Sequence, residues 1–329
     1  MHEFAMEQSR LYSKLEKCTN LFFSLSTYHN NYLVSENIHN VISFYEQFEN
    51  RDDLIYWMRN RPKGIAKLYE IDGDKEIIVV VTTADIKGKF ATNCKDNVFQ
   101  GLHIIFVESG GKGDFLFNIA HNINTGLKRA LEYNPKWIFF SSDDVYKIDS
   151  VQKLKEDLKN IDHEKYNFVA LPPSSYHSQT TAIGKKIKFT YIIYMILKYR
   201  SLGLSRLRIE EKFNVKYSRF PTAGIFRLIG RFFFRTKSVI IENGDVAIFS
   251  SKYVKSLNGD VYDEIFINAF EETELAFRLN IDCAKIARID YQIGDYIGST
   301  LGTGTKRRMH DITGLIYFNM KWQEMLETL

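Results

Sequence analysis

The chain has 329 residues, 45% of them hydrophobic and 26% charged, with five prolines and a formal net charge of +4. This composition excludes a collagen-like fibre, disorder as the main state and a disulfide scaffold, and it allows roughly two domains at about 150 residues each. The longest apolar run, Phe189 to Leu197, spans about nine residues, whereas a membrane-spanning helix needs roughly 20, so no transmembrane segment is expected.

The first residues, MHEFAMEQSR, place no apolar stretch behind a basic start, so no signal peptide is expected. Cys18, Cys94 and Cys283 lie far apart without a C-x-x-C pair, and no N-x-[ST] sequon occurs. Both facts suit reduced thiols and a cytoplasmic location.

Residues 1–75 read as a helical extension. Leu11, Leu15 and Cys18 share one helical face, as do Val41, Phe44, Tyr45 and Phe48, and Arg61-Pro62-Lys63-Gly64 breaks the pattern. The region shows neither strand alternation nor a catalytic signature. The pattern changes at Ile77-Ile78-Val79-Val80-Val81, a wholly apolar, β-branched run of the kind that forms a strand buried on both faces. A second such run is Leu102 to Val107, followed by the loop Ser109-Gly110-Gly111-Lys112-Gly113-Asp114.

A helix is expected next, with Ile119, Ile123, Leu127 and Ala130 or Leu131 on its apolar stripe and Asn134-Pro135 as its stop. Trp137-Ile138-Phe139-Phe140 is a third strand, ending in Ser141-Ser142-Asp143-Asp144-Val145. Asp149 or Ser150 can cap a helix striped by Val151, Leu154 and Leu158, and Phe168 to Leu171 is a fourth strand. Strands alternating with helices define an α/β protein with a mostly parallel, Rossmann-like mixed sheet flanked by helices. In such sheets ligands bind beyond the carboxyl ends of the strands, which here carry residues 82–85, 108–114 and 141–145.

The order is then interrupted. Residues 185–238 carry 14 Lys/Arg against Glu210 and Glu211 alone, with 11 aromatics interleaved, while the rest of the chain is net acidic. This segment is expected to be a basic helical insertion, and such segments seek anions. Phe232-Phe233-Phe234 cannot all enter one helical stripe, which favours an interfacial surface. Strands are expected again at Val239 to Ile241, Val246 to Phe249 and Ala284 to Ile289. Between the last two lies an acidic helix beginning Glu271-Glu272-Thr273-Glu274, and residues 301–329 form a helical tail.

Two features could carry chemistry. Asp143-Asp144 places adjacent carboxylates at the end of an apolar strand, where an oxygen-seeking cation, Mg²⁺ or Mn²⁺ rather than zinc, is the natural partner; the plain alternative is a turn or capping pair. Glu271 and Glu274 share a helical face, with Asp263-Glu264 upstream; the plain alternative is an acidic first turn favoured by the helix dipole. No phosphate loop, G-x-G-x-x-G turn, H-E-x-x-H pair or G-x-S-x-G elbow occurs, which weakens hydrolase and dehydrogenase readings.

Taken in order, Thr82-Thr83-Ala84-Asp85, Glu108-Ser109-Gly110, Asn124-Thr125-Gly126, Ser142-Asp143-Asp144-Val145, Asp263-Glu264 and Glu271-Glu272-Thr273-Glu274-Leu275 resemble the family 2 glycosyltransferases of the GT-A fold. The resemblance covers about residues 76–300 without the basic insertion. It implies that a GT-A domain occupies 76–300, with the 185–238 insertion on its acceptor or membrane side. It further implies that Thr82, Thr83, Asp85, Glu108, Ser109, Asn124 and Asp143 hold a nucleotide-diphosphate sugar. Asp144 and Asp143, with Asp295 near the final loop, would hold Mn²⁺ or Mg²⁺.

Glu272, beside Glu271, would be the general base for an inverting single displacement by an acceptor hydroxyl or lipid phosphate. Glycan, protein or lipid-linked acceptors follow as expected partners. The basic aromatic segment 185–238 adds an expected peripheral association with the inner face of a membrane, its plain alternative being a helical subdomain with a buried aromatic face and a solvated basic face. The sequence departs from the family in having Ser142 for the first motif aspartate and Glu272 for the usual aspartate. Competing readings are a nucleotidyltransferase, or a non-catalytic relative that binds anionic membrane or nucleic acid through 185–238. Nucleic acid is the less favoured partner because the remainder of the chain is rich in carboxylates.

Overall fold

A computed structural model describes residues 37–61, 63–109, 117–172, 179–221, 234–243, 246–296 and 307–328. The stripe Leu11, Leu15 and Cys18, the glycines 110, 111 and 113, Phe232-Phe233 and the loop from Ile297 to Thr300 lie outside the described residues.

Two helices open the described chain: α1 (Ile38–Glu46) and α2 (Arg51–Asn60). Asn37 and Asn50 cap them, each side chain accepting a backbone N–H of the first turn. There follow β1 (Lys67–Ile71), β2 (Asp74–Thr83), α3 (Lys89–Asn93) running into a π turn at residues 94–98, β3 (Leu102–Glu108) and α4 (Ile119–Leu131). Then come β4 (Trp137–Ser142), β5 (Val145–Lys147), α5 (Val151–Lys159), β6 (Phe168–Ala170), β7 (Gln179–Lys186), α6 (Lys188–Tyr199), α7 (Ser201–Lys212), β8 (Tyr217–Pro221) and β9 (Phe234–Asn243). The last elements are β10 (Ala247–Ser250), α8 (Ser251–Ser256), α9 (Glu271–Ile281), β11 (Ile286–Arg288), β12 (Ile293–Asp295), α10 (Arg307–Lys321) and α11 (Gln323–Glu327).

The main sheet has seven strands in the order β1-β3-β2-β4-β10-β6-β11. β3, β2, β4, β6 and β11 run in one direction; β1 at the edge and β10 inside the sheet run against them. The fold is therefore α/β, with a mixed, centrally parallel, Rossmann-like sheet flanked by helices. Strand periodicity divides its core in two. Ile77, Val79, Val81, Ile104, Phe106 and Phe139 face the π turn and α5, while Ile78, Val80, Ile105, Val107, Ile138 and Phe140 face α4 and α8. Gly126 lets α4 approach closely, because a Cβ there would lie 2.3 Å from a Val80 methyl.

Three expectations need correction. Lys67–Ile71, inside the stretch expected to be helical, is strand β1, antiparallel to β3. Its residues are mostly exposed along the sheet edge, so burial imposes no two-residue alternation to read. The 185–238 insertion is only partly helical: α6 and α7 form a hairpin, and β7, β8 and β9 form a separate antiparallel sheet with β7 central. That sheet takes in Gln179 to Gly184, ahead of the expected boundary at 185. The runs at 246–249 and 284–289 are strands as expected, with the second shortened to Ile286–Arg288.

The stretches read as extension, insertion and tail also share one core. Val41, Phe44, Tyr45, Phe48, Leu54 and Trp57 pack with Ile209, Phe213 and Tyr217 of the insertion and with Ile312, Leu315 and Phe318 of α10. Phe270, Ala276 and Phe277 join this accessory core, while Leu275 and Leu279 of the same helix face the sheet. α9 thus cements the two cores together. Phe44 alone meets Tyr45, Phe48 and Trp57 edge-on at centroid distances of 5.0–5.1 Å. Trp57→Ala is expected to cost about 3–5 kcal/mol from the cavity it leaves.

Candidate functional site

The carboxyl ends of β2, β3 and β4 are stitched together by backbone. Ser109 N–H donates to the Thr83 carbonyl at 3.2 Å, and Asp143 N–H donates to the Thr82 carbonyl at 3.1 Å. The Thr83 hydroxyl donates to Asp143 Oδ2 at 2.6 Å and accepts from the Asp85 N–H at 3.2 Å. Glu108 Oε1 accepts from Ile86 N–H at 3.2 Å, which ties the loop after β2 to the end of β3. Thr82, Thr83, Asp85, Glu108, Ser109, Asp143 and Asp144 therefore share one corner of the sheet. Parallel strands carry their carboxyl-end loops to the same edge, so residues far apart in sequence meet there.

Asp143 points inward and Asp144 is only partly buried. Burial pushes the Asp143 carboxyl up to about 6; the Thr83 hydrogen bond opposes that rise, and the charges of Asp144 and Asp85 add to it. The Cys94 thiol donates to the Asp143 carbonyl at 3.3 Å and is itself pushed upward by burial and by the charges of Asp143 and Asp144. Ser142, beside the aspartate pair, donates its hydroxyl to Asp144 Oδ1 at 2.6 Å. A serine here orients the carboxylate; an aspartate would repel it.

The ribbon of β5 and β12 delivers the next group. Asp295 pairs with Val145, and Tyr296 N–H donates to the Asp144 carbonyl at 2.7 Å. Gly294 lets the Tyr146 ring lie on the ribbon backbone, since a Cβ there would come within 2.1 Å of the ring. Asp149, one of the two cap candidates, binds Gln292 N–H at this ribbon, while Ser150 caps α5.

The corner also holds aromatics that sequence reasoning missed. Tyr296 is half exposed, with its ring centroid 5.2 Å from Tyr146 and 5.7 Å from Phe90. The available signal was the dipeptide Asp295-Tyr296, an aromatic in a loop directly after a candidate ligand.

Asn124 is placed differently from the rest. It is fully buried, its amide donates to the Tyr262 carbonyl at 2.8 Å and to Glu264 Oε1 at 3.1 Å, and its Oδ1 accepts Tyr262 N–H at 2.9 Å. It clamps residues 262–264 to α4. The amide called for donor binding is thus occupied in building the scaffold.

Glu264 also accepts from Lys63 and lies 3.1 Å from His121 Nδ1. Burial works against its ionised form, yet the hydrogen bonds from Lys63 and Asn124 hold its carboxyl below the ordinary value. His121, Asn124 and Glu264 edge a cavity of about 510 Å³ that also touches Lys128, Asp263 and Lys321. Its charges are largely matched in pairs, Lys128 with Asp260 and Lys321 with Asp263. The corner at the strand ends is the more chemically competent place.

Glu271 and Glu272 begin α9, on the side of the insertion sheet. Glu272 Oε1 accepts from Arg219 Nη1 at 3.1 Å, and the same nitrogen reaches Thr273 Oγ1 at 2.5 Å. The Arg219 guanidinium stacks 4.3 Å above the Phe270 ring, and Phe270 holds a left-handed φ of 75° directly ahead of the two glutamates. Glu271 is buried. Glu274 is fully buried and accepts from Lys321 at 2.8 Å, with Arg278 3.5 Å away. Glu271 and Glu274 do share a face, as their spacing requires.

Among the described residues, no three His, Cys, Asp or Glu side chains converge closely enough to grip an ion as they stand. The donor chemistry at the corner nevertheless fits a hard cation. Asp143, Asp144 and Asp295 offer oxygen alone, and the buried Asp143 feels only further negative charge from Asp144 and Asp85. Neither a family model nor a curated protein matches this chain.

Proposed function

We propose that this protein is a glycosyltransferase that moves a sugar from a nucleotide diphosphate to an acceptor hydroxyl or lipid phosphate, inverting the anomeric centre. The observation that carries the reading is the Asp143–Asp144 pair at the end of β4, hydrogen-bonded into the ends of β2 and β3 and flanked by Asp295. Within this reading the sheet, with β10 reversed between β4 and β6, is a GT-A sheet. Thr82, Asp85, Glu108 and Ser109 line the nucleotide side, and Tyr296, with Tyr146 behind it, offers a flat ring for the base or sugar.

Asp144, Asp143 and Asp295 would hold Mg²⁺ or Mn²⁺. Such an ion, when bound, supplies positive charge for a departing diphosphate. In the displacement the acceptor oxygen bonds to the anomeric carbon. The bond from that carbon to the diphosphate oxygen breaks, its electron pair leaves with the diphosphate, and the acceptor proton passes to a carboxylate. Glu272 is the carboxylate assigned to that proton, and Arg219 fixes its position through the 3.1 Å contact. Glu271, buried beside it, is the first residue of the helix that carries Glu272.

Calorimetric titration of a panel of nucleotide diphosphates and sugar nucleotides, with and without Mn²⁺, tests the reading on wild type and Asp144→Ala. The expected result is cation-dependent binding of one nucleotide that the substitution abolishes. Binding indifferent to both cation and substitution, or none at millimolar ligand, overturns it.

A further inference from the structure

The helical hairpin of the insertion has an inside and an outside, and both are apolar. On α6 the inward side chains Tyr191 and Met195 are 3% and 1% exposed and pack with Tyr199 and with Leu207 of α7. Phe189, Ile193, Ile196 and Leu197 recur at helical spacing on the opposite side and are 73%, 40%, 40% and 77% exposed. They form a stripe about 12 Å long at 1.5 Å per residue. Leu204 of α7, 49% exposed, is a further apolar residue of the hairpin left to solvent.

The stripe is not an inner face turned the wrong way, because the inner face is already complete. Glu210, 1% exposed, accepts from Arg206 Nε at 2.8 Å, Lys186 Nζ at 2.9 Å and the Tyr191 hydroxyl at 3.2 Å. One of the two acids of the segment is thereby neutralised within the fold. Arg200 and Arg208 remain exposed on the same hairpin, and Lys185 is exposed at the end of β7 just ahead of it.

We propose that α6 docks in the headgroup region of an anionic lipid bilayer. Phe189, Ile193, Ile196 and Leu197 enter the acyl boundary, and Lys185, Arg200 and Arg208 meet lipid phosphates. Charge selects this occupant over a second copy of the chain. A symmetric contact through this stripe would set the exposed Arg200 and Arg208 of one hairpin close to the same two cations of the other. Four side chains in a row also cover far less than the roughly 800 Å² per partner of a stable interface. A bilayer needs only a shallow apolar stripe flanked by cations. The inference is independent of the transfer reading, and its test uses no sugar donor.

The experiment is flotation of the full chain with phosphatidylcholine vesicles, with and without phosphatidylglycerol, at low and high salt. Wild type is expected to float with the anionic vesicles and to be released by salt. Phe189→Ser/Leu197→Ser should lower the partition coefficient at least about tenfold with an unchanged melting temperature, since both side chains already face solvent. Arg200→Glu/Arg208→Glu should remove the preference for phosphatidylglycerol. Failure of wild type to float with anionic vesicles at low salt overturns the proposal, as does equal flotation of the serine variant. A dimer in sedimentation velocity that the serine variant dissolves, without vesicle binding, would assign the stripe to a second copy and likewise overturn it.

Discussion

The two carboxylate clusters of this protein are built in opposite ways. Around α9 each described glutamate contact is with a cation or a backbone-setting partner: Glu272 with Arg219, and Glu274 with Lys321 and Arg278. At the end of β4, Asp143 is buried beside Asp144 and Asp85, and what holds it is a threonine hydroxyl. The first cluster resembles a solved electrostatic problem; the second stores one. Clusters of buried like charge are found most often where a ligand or ion completes them, and this contrast is why the proposal places the ligand at the aspartate corner and not at the longer run of glutamates.

The sharpest way to break that comparison is Asp144→Ala. It should abolish cation-dependent nucleotide binding and lower kcat/KM by at least about a thousandfold, or about 4 kcal/mol, while the urea midpoint stays close to wild type. A large loss of stability instead would make the corner a structural device.

Glu274→Ala probes the other cluster and should do the reverse. Removing a fully buried partner of Lys321 and Arg278 should cost about 3 kcal/mol in urea unfolding, with the nucleotide affinity of the remaining folded protein unchanged.

pH separates the clusters next. The folded-state Asp143 carboxyl, raised to about 6, binds its proton more tightly than in the unfolded chain. Its contribution therefore falls as pH rises from about 4 through 6 and is flat above that. In EDTA, Asp143→Asn should remove this slope and stabilise the protein at pH 7 by up to about 3 kcal/mol. Millimolar Mn²⁺ should raise the wild-type melting temperature and leave that of the variant unmoved.

The smallest expected effect is that of Tyr296→Ala. Loss of an aromatic surface should weaken nucleotide binding by about 1–2 kcal/mol, read as a roughly tenfold change in Kd, with no change in cation dependence.

The sheet could be read in the sequence because burial on both faces leaves almost only β-branched and other large apolar residues in Ile77 to Val81, Leu102 to Val107 (His103 apart) and Trp137 to Phe140. The corner could be read because parallel strands must bring their ends together, which placed Thr83, Glu108 and Asp143 side by side before any coordinates. Lys67–Ile71 carries no such mark, since an edge strand answers to solvent and to hydrogen bonding more than to burial. The insertion misled in a different manner: its cations suggest a helical segment that seeks anions from outside, yet Lys186, on a strand, and Arg206 are drawn inward by a single buried acid, Glu210. Asn124 was legible as special but not in its task, because the same amide serves a ligand or the Tyr262 backbone equally well. The accessory core was invisible because no local pattern tells Phe44 that its neighbours come from residues 209–217 and 312–318.

That last arrangement has a temporal meaning. The Tyr45 hydroxyl bonds to the Met309 carbonyl, 264 positions later in the chain. During synthesis β2, β3, β4 and α4 can assemble long before α10 leaves the ribosome, while Phe44, Phe48 and Trp57 wait without their partners. The accessory core therefore closes only once nearly the whole chain is available, so its completion is tied to α10 rather than to the helices that begin it.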